Sequence, residues 1–292
     1  MSVLRWSVSI LVCAGSPLLA QQRKPAMVEQ TGTFQWAKIT ESSGVAVSRT
    51  HPGVLWTHND SGDGPYLYAF DIEGKHRGTF RVTGARAVDW EDLALARCSE
   101  GTGHCLYIAD TGDNLERRPH VTIWIVPEPR ILPPGADTSV ADTEPARALT
   151  VRYPDRPHDV EAMWVEPDGS VMLVTKGLTG GIRRYAVPPS GVAKDSVVAV
   201  LLERNFIVQG TRPRWVTGAA ISPDGKRVVV RTYHELYFFR RDSRGLQADG
   251  LPCEIGDLEP QGEGVDFWDP ETVVLTSEAA WNRPGSIHLV KC

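Results

Sequence analysis

The sequence predicts an all-β fold: a five-bladed β-propeller closed by an N-terminal strand, with six blades as the alternative. Three observations lead there. Helical periodicity is nearly absent, and short runs rich in β-branched and aromatic residues lie between Gly, Pro, Asp and Asn clusters, as in VLWTH (54–58), YLYAF (66–70), VTIWIV (121–126) and TVVLT (272–276). Five segments superimpose: ESSGVAV (41–47), DWEDLAL (89–95), DVEAMWV (159–165), WVTGAAI (215–221) and QGEGVDF (261–267), each a small or acidic tip running into an apolar strand. Their spacings are 48, 70, 56 and 46 residues, near the period of a four-stranded blade.

The chain has 292 residues and begins with MSVLRWSVSILVCAGSPLLA, an Arg followed by an apolar run and a small-residue end. This reads as a signal peptide over 1–20, which places the protein in a secreted or periplasmic setting. Cys13 follows Val12, where a lipidation signal carries a small residue, so the reading is a cleaved leader rather than a lipid anchor. Residues 21–30 are expected to be a flexible segment, and 31–292 a single propeller domain. Beyond the leader no stretch approaches the roughly 20 apolar residues of a membrane span. TFQWAKIT (33–40) is an orphan strand before the first repeat, while the last repeat ends after its third strand, SIHLVKC. Pairing 33–40 beside 286–291 would close the ring and leave few open edges.

Within each repeat Ser43, Glu91, Glu161, Thr217 and Glu263 take equivalent positions. Fifteen residues later come His58, Lys176, Thr232 and Glu278, each at the end of a second strand. In the second repeat Asp110 takes that place at a distance of 19, the extra residues falling in the hairpin between Cys98 and Cys105. The long second repeat carries a Pro- and Asp-rich insertion, 128–146, expected to be a surface loop. PDG at 167–169 and at 223–225 marks the turn between first and second strands in two blades. Four cysteines remain after the leader; in an oxidising compartment the turn-rich hairpin favours Cys98–Cys105, leaving Cys253 with Cys292.

The formal net charge is −5, with 31 Lys and Arg against 36 Asp and Glu. A nucleic-acid partner calls for a basic surplus and is not expected. In a propeller the loops entering the innermost strand and leaving the second strand open on one face, and here both carry charge. The first set is Asp89, Glu91, Asp92, Asp159, Glu161, Glu263 and Asp266. The second is His58, Asn59, Asp60, Asp63, Asp110, Asp113, Asn114, Lys176, Arg231, Tyr233, His234 and Glu278. Carboxylates converging on one axis repel unless a cation, a basic side chain or a proton compensates them. Oxygen ligands without thiolates favour Ca²⁺ or Mg²⁺. Glu91, Glu161, Glu263, Asp110 and Glu278 are the expected metal ligands. Asn59, Asp60, Asp89, Asp113, Asn114 and Asp159 are expected around the channel mouth. His58, Lys176 and Arg231 are the catalytic candidates, against structural roles as a hydrogen-bonded His and as ion pairs. Most tryptophans recur in strands and are expected between blades; Trp90 and Trp281 are the two considered as ligand platforms. No nucleophile elbow and no Gly-rich phosphate loop is present.

SGVAVSRTHPGVLWTHNDSGDGPYLYAFD, DWEDLAL, ADTGDN, DVEAMWV and QGEGVDF resemble a group of secreted or lipid-anchored bacterial β-propeller proteins, largely uncharacterised. That resemblance implies a fold rather than a reaction. A looser one, over a single blade, is to β-propeller phytases: Gln261-Gly262-Glu263-Gly264 with Glu278 is similar to their Q-x-E-G segment and downstream Glu, which imply calcium ligation. Three functions stand open: a Ca- or Mg-dependent hydrolase of a phosphoester, lactone or ester; a non-catalytic binder of a small molecule, glycan, peptide or envelope partner at the channel mouth; and a structural propeller whose ion ties the blades together. A monomer is expected.

Overall fold

The computed structural model describes residues 26–99, 101–131, 140–210, 212–259 and 261–292. The expected leader, with Cys13, lies outside the described residues. These residues build five largely antiparallel sheets around an axis, two of them with a short parallel strand at the outer edge, and one helical turn, Pro189–Val192. The innermost strands are Ser42–Val47, Trp90–Arg97, Val160–Val165, Val216–Ile221 and Gly262–Phe267, which open blades 1 to 5 and contact their neighbours around the ring. Most of their residues are fully buried, because they face the axis on one side and the next blade on the other. PDG forms the first turn in blades 3 and 4, with Gly169 and Gly225 at φ of 87° and 70°, a region that favours Gly.

The apolar side chains form five layers, one at each blade interface. Trp56, Trp90 and Leu106 lie between blades 1 and 2, and Tyr107, Met163 and Tyr185 between blades 2 and 3. Trp164 and Val230 lie between blades 3 and 4, Phe238 and Phe267 between blades 4 and 5, and Phe34, Tyr68 and Ile287 where blade 5 meets blade 1. Each large side chain so buried contributes about 1.5–3 kcal/mol, so the ring is held by its interfaces.

The ring closes as predicted in kind, with a different strand. Met27–Thr33, not 33–40, pairs antiparallel to Ser286–Lys291, with Met27 opposite Lys291. MVEQTGT is an outer edge strand, exposed over its first half, so it lacks the hydrophobic pattern that marks a strand in sequence. Phe34 and Ile39 instead drop into the closing layer, a turn bonds the Ile39 amide to the Trp36 carbonyl at 2.9 Å, and Trp36 stacks on His76. Four residues of the segment expected to be flexible, 27–30, thereby join the sheet. Part of the 128–146 insertion departs from a simple surface loop: Ala141–Asp142 pairs in parallel with Phe80–Arg81 and extends blade 1. Residues 132–139 lie outside the described residues.

Both expected disulfides are present, with Cα separations of 4.9 Å for Cys98–Cys105 and 6.0 Å for Cys253–Cys292, inside the bridging range. The first staples the blade 2 hairpin; the second ties Cys253, on a short strand paired with Glu235 and Leu236 of blade 4, to Cys292 just beyond the last strand of blade 5. Among the described residues no helix is long and apolar enough to cross a membrane.

Candidate functional site

The five positions aligned in sequence share a backbone feature. In every innermost strand the ladder slips by one residue there, between Ser42 and Val45, Trp90 and Asp92, Val160 and Ala162, Val216 and Gly218, and Gly262 and Val265. A bulge leaves one residue unpaired and re-aims its side chain. In blades 1 and 4 that residue is a hydroxyl, and it bonds the neighbouring blade: Ser43 Oγ donates to the Glu91 carbonyl at 2.6 Å, and Thr217 Oγ1 to the Gly262 carbonyl at 3.0 Å. In blades 2, 3 and 5 it is Glu91, Glu161 or Glu263, all at most 4% exposed.

Two triads form around the first of these. Asp60, Asp89 and Glu91 each offer an oxygen, as do Glu91, Asp159 and Glu161, with the oxygens of each triad within 4.8 Å of one another. Two oxygens on one Ca²⁺ are at most about 5 Å apart, since Ca–O bonds run about 2.3–2.6 Å. The donor set therefore fits a hard cation of that size. Asp159 Oδ1 accepts the Asp113 amide at 2.8 Å, while its Oδ2 is buried without a partner, as is Oε2 of Glu263. Lys176 Nζ donates to Glu161 Oε1 at 2.8 Å and compensates one side of the cluster. Tyr233 donates to Glu263 Oε1 at 3.2 Å, and Gln261 to Glu278 Oε1 at 2.8 Å. Gly112 lies against the first triad: a Cβ there would collide with the Glu91 and Asp89 carboxylates.

The electrostatics follow from crowding. Burial pushes the Glu91 and Glu161 carboxyls well above the usual range; Glu161, Asp60 and Asp89 add to this at Glu91, while Lys176 opposes it at Glu161. Burial, with Glu278 adding and Lys176 opposing, takes Glu263 up to about 8. Burial, then Asp60 and Glu41, takes Glu278 up to about 7; burial, then Asp60 and Asp159, takes Asp89 up to about 6. Asp60 and Asp159 are raised by burial as well. Burial disfavours the Lys176 ammonium, but Glu161 outweighs it and holds Lys176 charged.

Several predicted residues go elsewhere. Asp110 is not aimed at the triads: it accepts Arg118 Nη2 at 2.8 Å, the Asp89 amide and the Trp124 indole. Arg231 is no catalytic group at the mouth: it is fully buried, pairs with Glu259, and donates to the Gly264 and Thr276 carbonyls at 2.7 and 2.9 Å. His58 is no exposed base: it is fully buried edge-on to Trp90, its Nδ1 faces the Asn59 carbonyl at 2.9 Å, and burial lowers it to about 4. Asn59 cross-links the loops, accepting the Thr40 and Glu41 amides and donating to Asp63. Asp113 Oδ2 accepts the Arg118 amide, and Asn114 is exposed. Trp90 is no platform: it is fully buried with its indole on the Arg86 carbonyl. Asp92 and Asp266 lie among the inner strands as staples, Asp92 accepting the Met163 and Ala219 amides and Asp266 the Val47 amide.

Sequence reasoning missed Glu259, His288 and Arg118, whose partners are 28, 29 and 8 residues away. It also did not single out Trp215. Trp215 is 39% exposed and lines a cleft of about 980 Å³ that opens beside Tyr233 and Gln261.

No family model and no curated protein matches the chain. Solved structures do. The PQQ-bound aldose sugar dehydrogenase of Streptomyces coelicolor is 12% identical over 91% of this chain and 98% of that one, with a TM-score of 0.52. A gluconolactonase of Xanthomonas campestris is 12% identical over 94% and 91%, with a TM-score of 0.47. The soluble aldose sugar dehydrogenase of Escherichia coli is 11% identical over 91% and 99%, with a TM-score of 0.44. The likeness is one of fold. The likeness to the first of these, at a TM-score of 0.52, supports a β-propeller, and no phytase in particular.

Proposed function

We propose that this is a secreted or periplasmic propeller that holds Ca²⁺ or Mg²⁺ in the triad Glu91–Asp159–Glu161, with Asp60–Asp89–Glu91 as the adjoining triad, and acts as a metal-dependent hydrolase of a phosphoester, lactone or ester. The observation that carries the reading is Asp159 Oδ2, a buried carboxylate oxygen without a partner inside a triad of cation-sized span. Such an atom costs free energy unless something binds it. When bound, the cation polarises the scissile group and lowers the pKa of a water. Lys176 fixes the Glu161 carboxylate, and Tyr233 orients Glu263. Burial takes Glu263 up to about 8, which favours its protonated form near neutral pH and suits a proton donor; its Oε2 is buried without a partner. The paired disulfides suit export to an oxidising compartment. A second reading, a non-catalytic ligand-binding propeller, is favoured by the aromatic cleft beside the mouth.

The test is thermal unfolding of the protein in EDTA and then in Ca²⁺ or Mg²⁺, with the same samples assayed on phosphomonoester, lactone and ester substrates. A raised midpoint with turnover lost on chelation supports the hydrolase. A raised midpoint without turnover leaves the binder, and an unchanged midpoint overturns the cation site.

A further inference from the structure

The cleft of about 980 Å³ beside the mouth is large for a small-molecule pocket, which typically runs about 300–1,000 Å³. Its most unusual wall is Trp281, which is 80% exposed. Ala280 and Arg283 bond each other's backbones at 3.1 and 2.9 Å, and the two residues between them, Trp281 and Asn282, have φ of 52° and 62°. This is a two-residue turn of the primed type, whose positions favour Asn and Gly because a bulky side chain is strained there. Trp281 is therefore disfavoured twice, by backbone conformation and by its exposed apolar ring. Strain of this kind persists where a site uses it. Trp215 forms a second aromatic wall, edge-on to Tyr233 at 6.2 Å.

The remaining lining mixes polar groups with Leu258 and Pro284, Arg283 adds one guanidinium, and the acidic groups are already matched. Glu259 in the floor is already matched by Arg231 and His288, and Asp257 by His234 at 3.2 Å and Arg212 at 3.6 Å. Gln261 adds a neutral amide on the side toward the mouth. Aromatic faces with uncharged hydrogen-bonding groups suit a ligand that is apolar on its ring faces and hydroxylated at its edges. We infer that the cleft is a binding site for a neutral oligosaccharide, stacked on Trp281 and Trp215. Tyr233 and Gln261 also bond Glu263 and Glu278, so one end of the bound chain lies at the mouth. That last point rests on the proposed hydrolytic site and makes its substrate a sugar derivative; binding in the cleft does not depend on it.

The experiment is titration of the disulfide-bonded protein with maltotriose, cellotriose and triacetylchitotriose, followed by tryptophan fluorescence and calorimetry, once in EDTA and once in Ca²⁺. The expected result is saturable binding of at least one trisaccharide, weakened at least tenfold in Trp281→Ala and Trp281→Asn. Trp281→Asn should at the same time raise the unfolding midpoint, since Asn suits the turn; this separates ligand binding from folding. Binding in EDTA that survives Glu91→Gln supports the cleft even if the cation reading fails. No binding of any of the three sugars, or unchanged affinity in both Trp281 variants, overturns the inference.

Discussion

Glu259 and Glu161 are buried to a similar degree, 8% and 2% exposed, and each meets a basic side chain. Both Glu259 oxygens are satisfied: Arg231 takes one and His288 Nδ1 the other at 2.9 Å, leaving only Arg231 Nε of this trio without a partner. Burial by itself would raise the Glu259 carboxyl, yet Arg231 and His288 hold it below its ordinary value. Around Glu161 one ammonium faces Glu161, Glu91 and Asp159 together, and those carboxyls are pushed up. Burial is thus no sign of a site. The surplus of carboxylate oxygens over donors is the sign, because an unmatched buried charge must find a proton or a cation.

The sharpest way to break this comparison is to unbalance the satisfied region. Glu259→Ala leaves the Arg231 guanidinium buried without its carboxylate, and the expected loss is about 3–5 kcal/mol by urea unfolding, the same with or without Ca²⁺. A loss that calcium restores would mean that the two regions are not distinct.

The unsatisfied region should respond in the opposite way. Saturating Ca²⁺, at about 100 times its dissociation constant, should stabilise the protein by about 2.7 kcal/mol, and Glu91→Gln, which removes the ligand shared by both triads, should abolish the gain. The readout is the unfolding midpoint against ion concentration.

The pH dependence without metal has a fixed sign. A carboxyl raised by folding contributes stability below its unfolded pKa and loses it as the pH climbs through the folded value. With Asp89 at about 6, Glu278 at about 7 and Glu263 at about 8, the midpoint in EDTA should fall steadily between pH 4.5 and 8. In Ca²⁺ the slope should flatten. A midpoint in EDTA that rises over this window would contradict the crowding of the mouth.

The smallest effect is expected from Gly112→Ala. Its Cβ would displace the Glu91 and Asp89 carboxylates, so calcium affinity should drop about tenfold, or about 1.4 kcal/mol, while the midpoint in EDTA changes little. Calorimetry and thermal unfolding on the same sample would show the split.

Five blades, the two disulfide pairs and the shared register of Ser43, Glu91, Glu161, Thr217 and Glu263 were legible in the sequence; that this register is a bulge was not. Each of the legible features depends on local pattern: strand period, turn residues, and a repeat whose register puts Glu91, Glu161 and Glu263 in equivalent places. The sequence could not separate Asp110 from Glu91, since both are acidic residues at strand ends on the same face. Only the tertiary structure decided that Asp110 has a guanidinium of its own from Arg118, whereas Glu91 shares the single Lys176 ammonium with Glu161 and Asp159. The same reason moved Arg231 and His58 from the catalytic candidates into the core and brought Trp281 and Trp215 to one cleft. Partnership between side chains from different strands depends on distance and on the number of donors present, and a one-dimensional pattern carries neither. The closing strand shows the converse: MVEQTGT has no core-facing pattern of its own, and it is a strand because the edge of Ser286–Lys291 needs its hydrogen bonds.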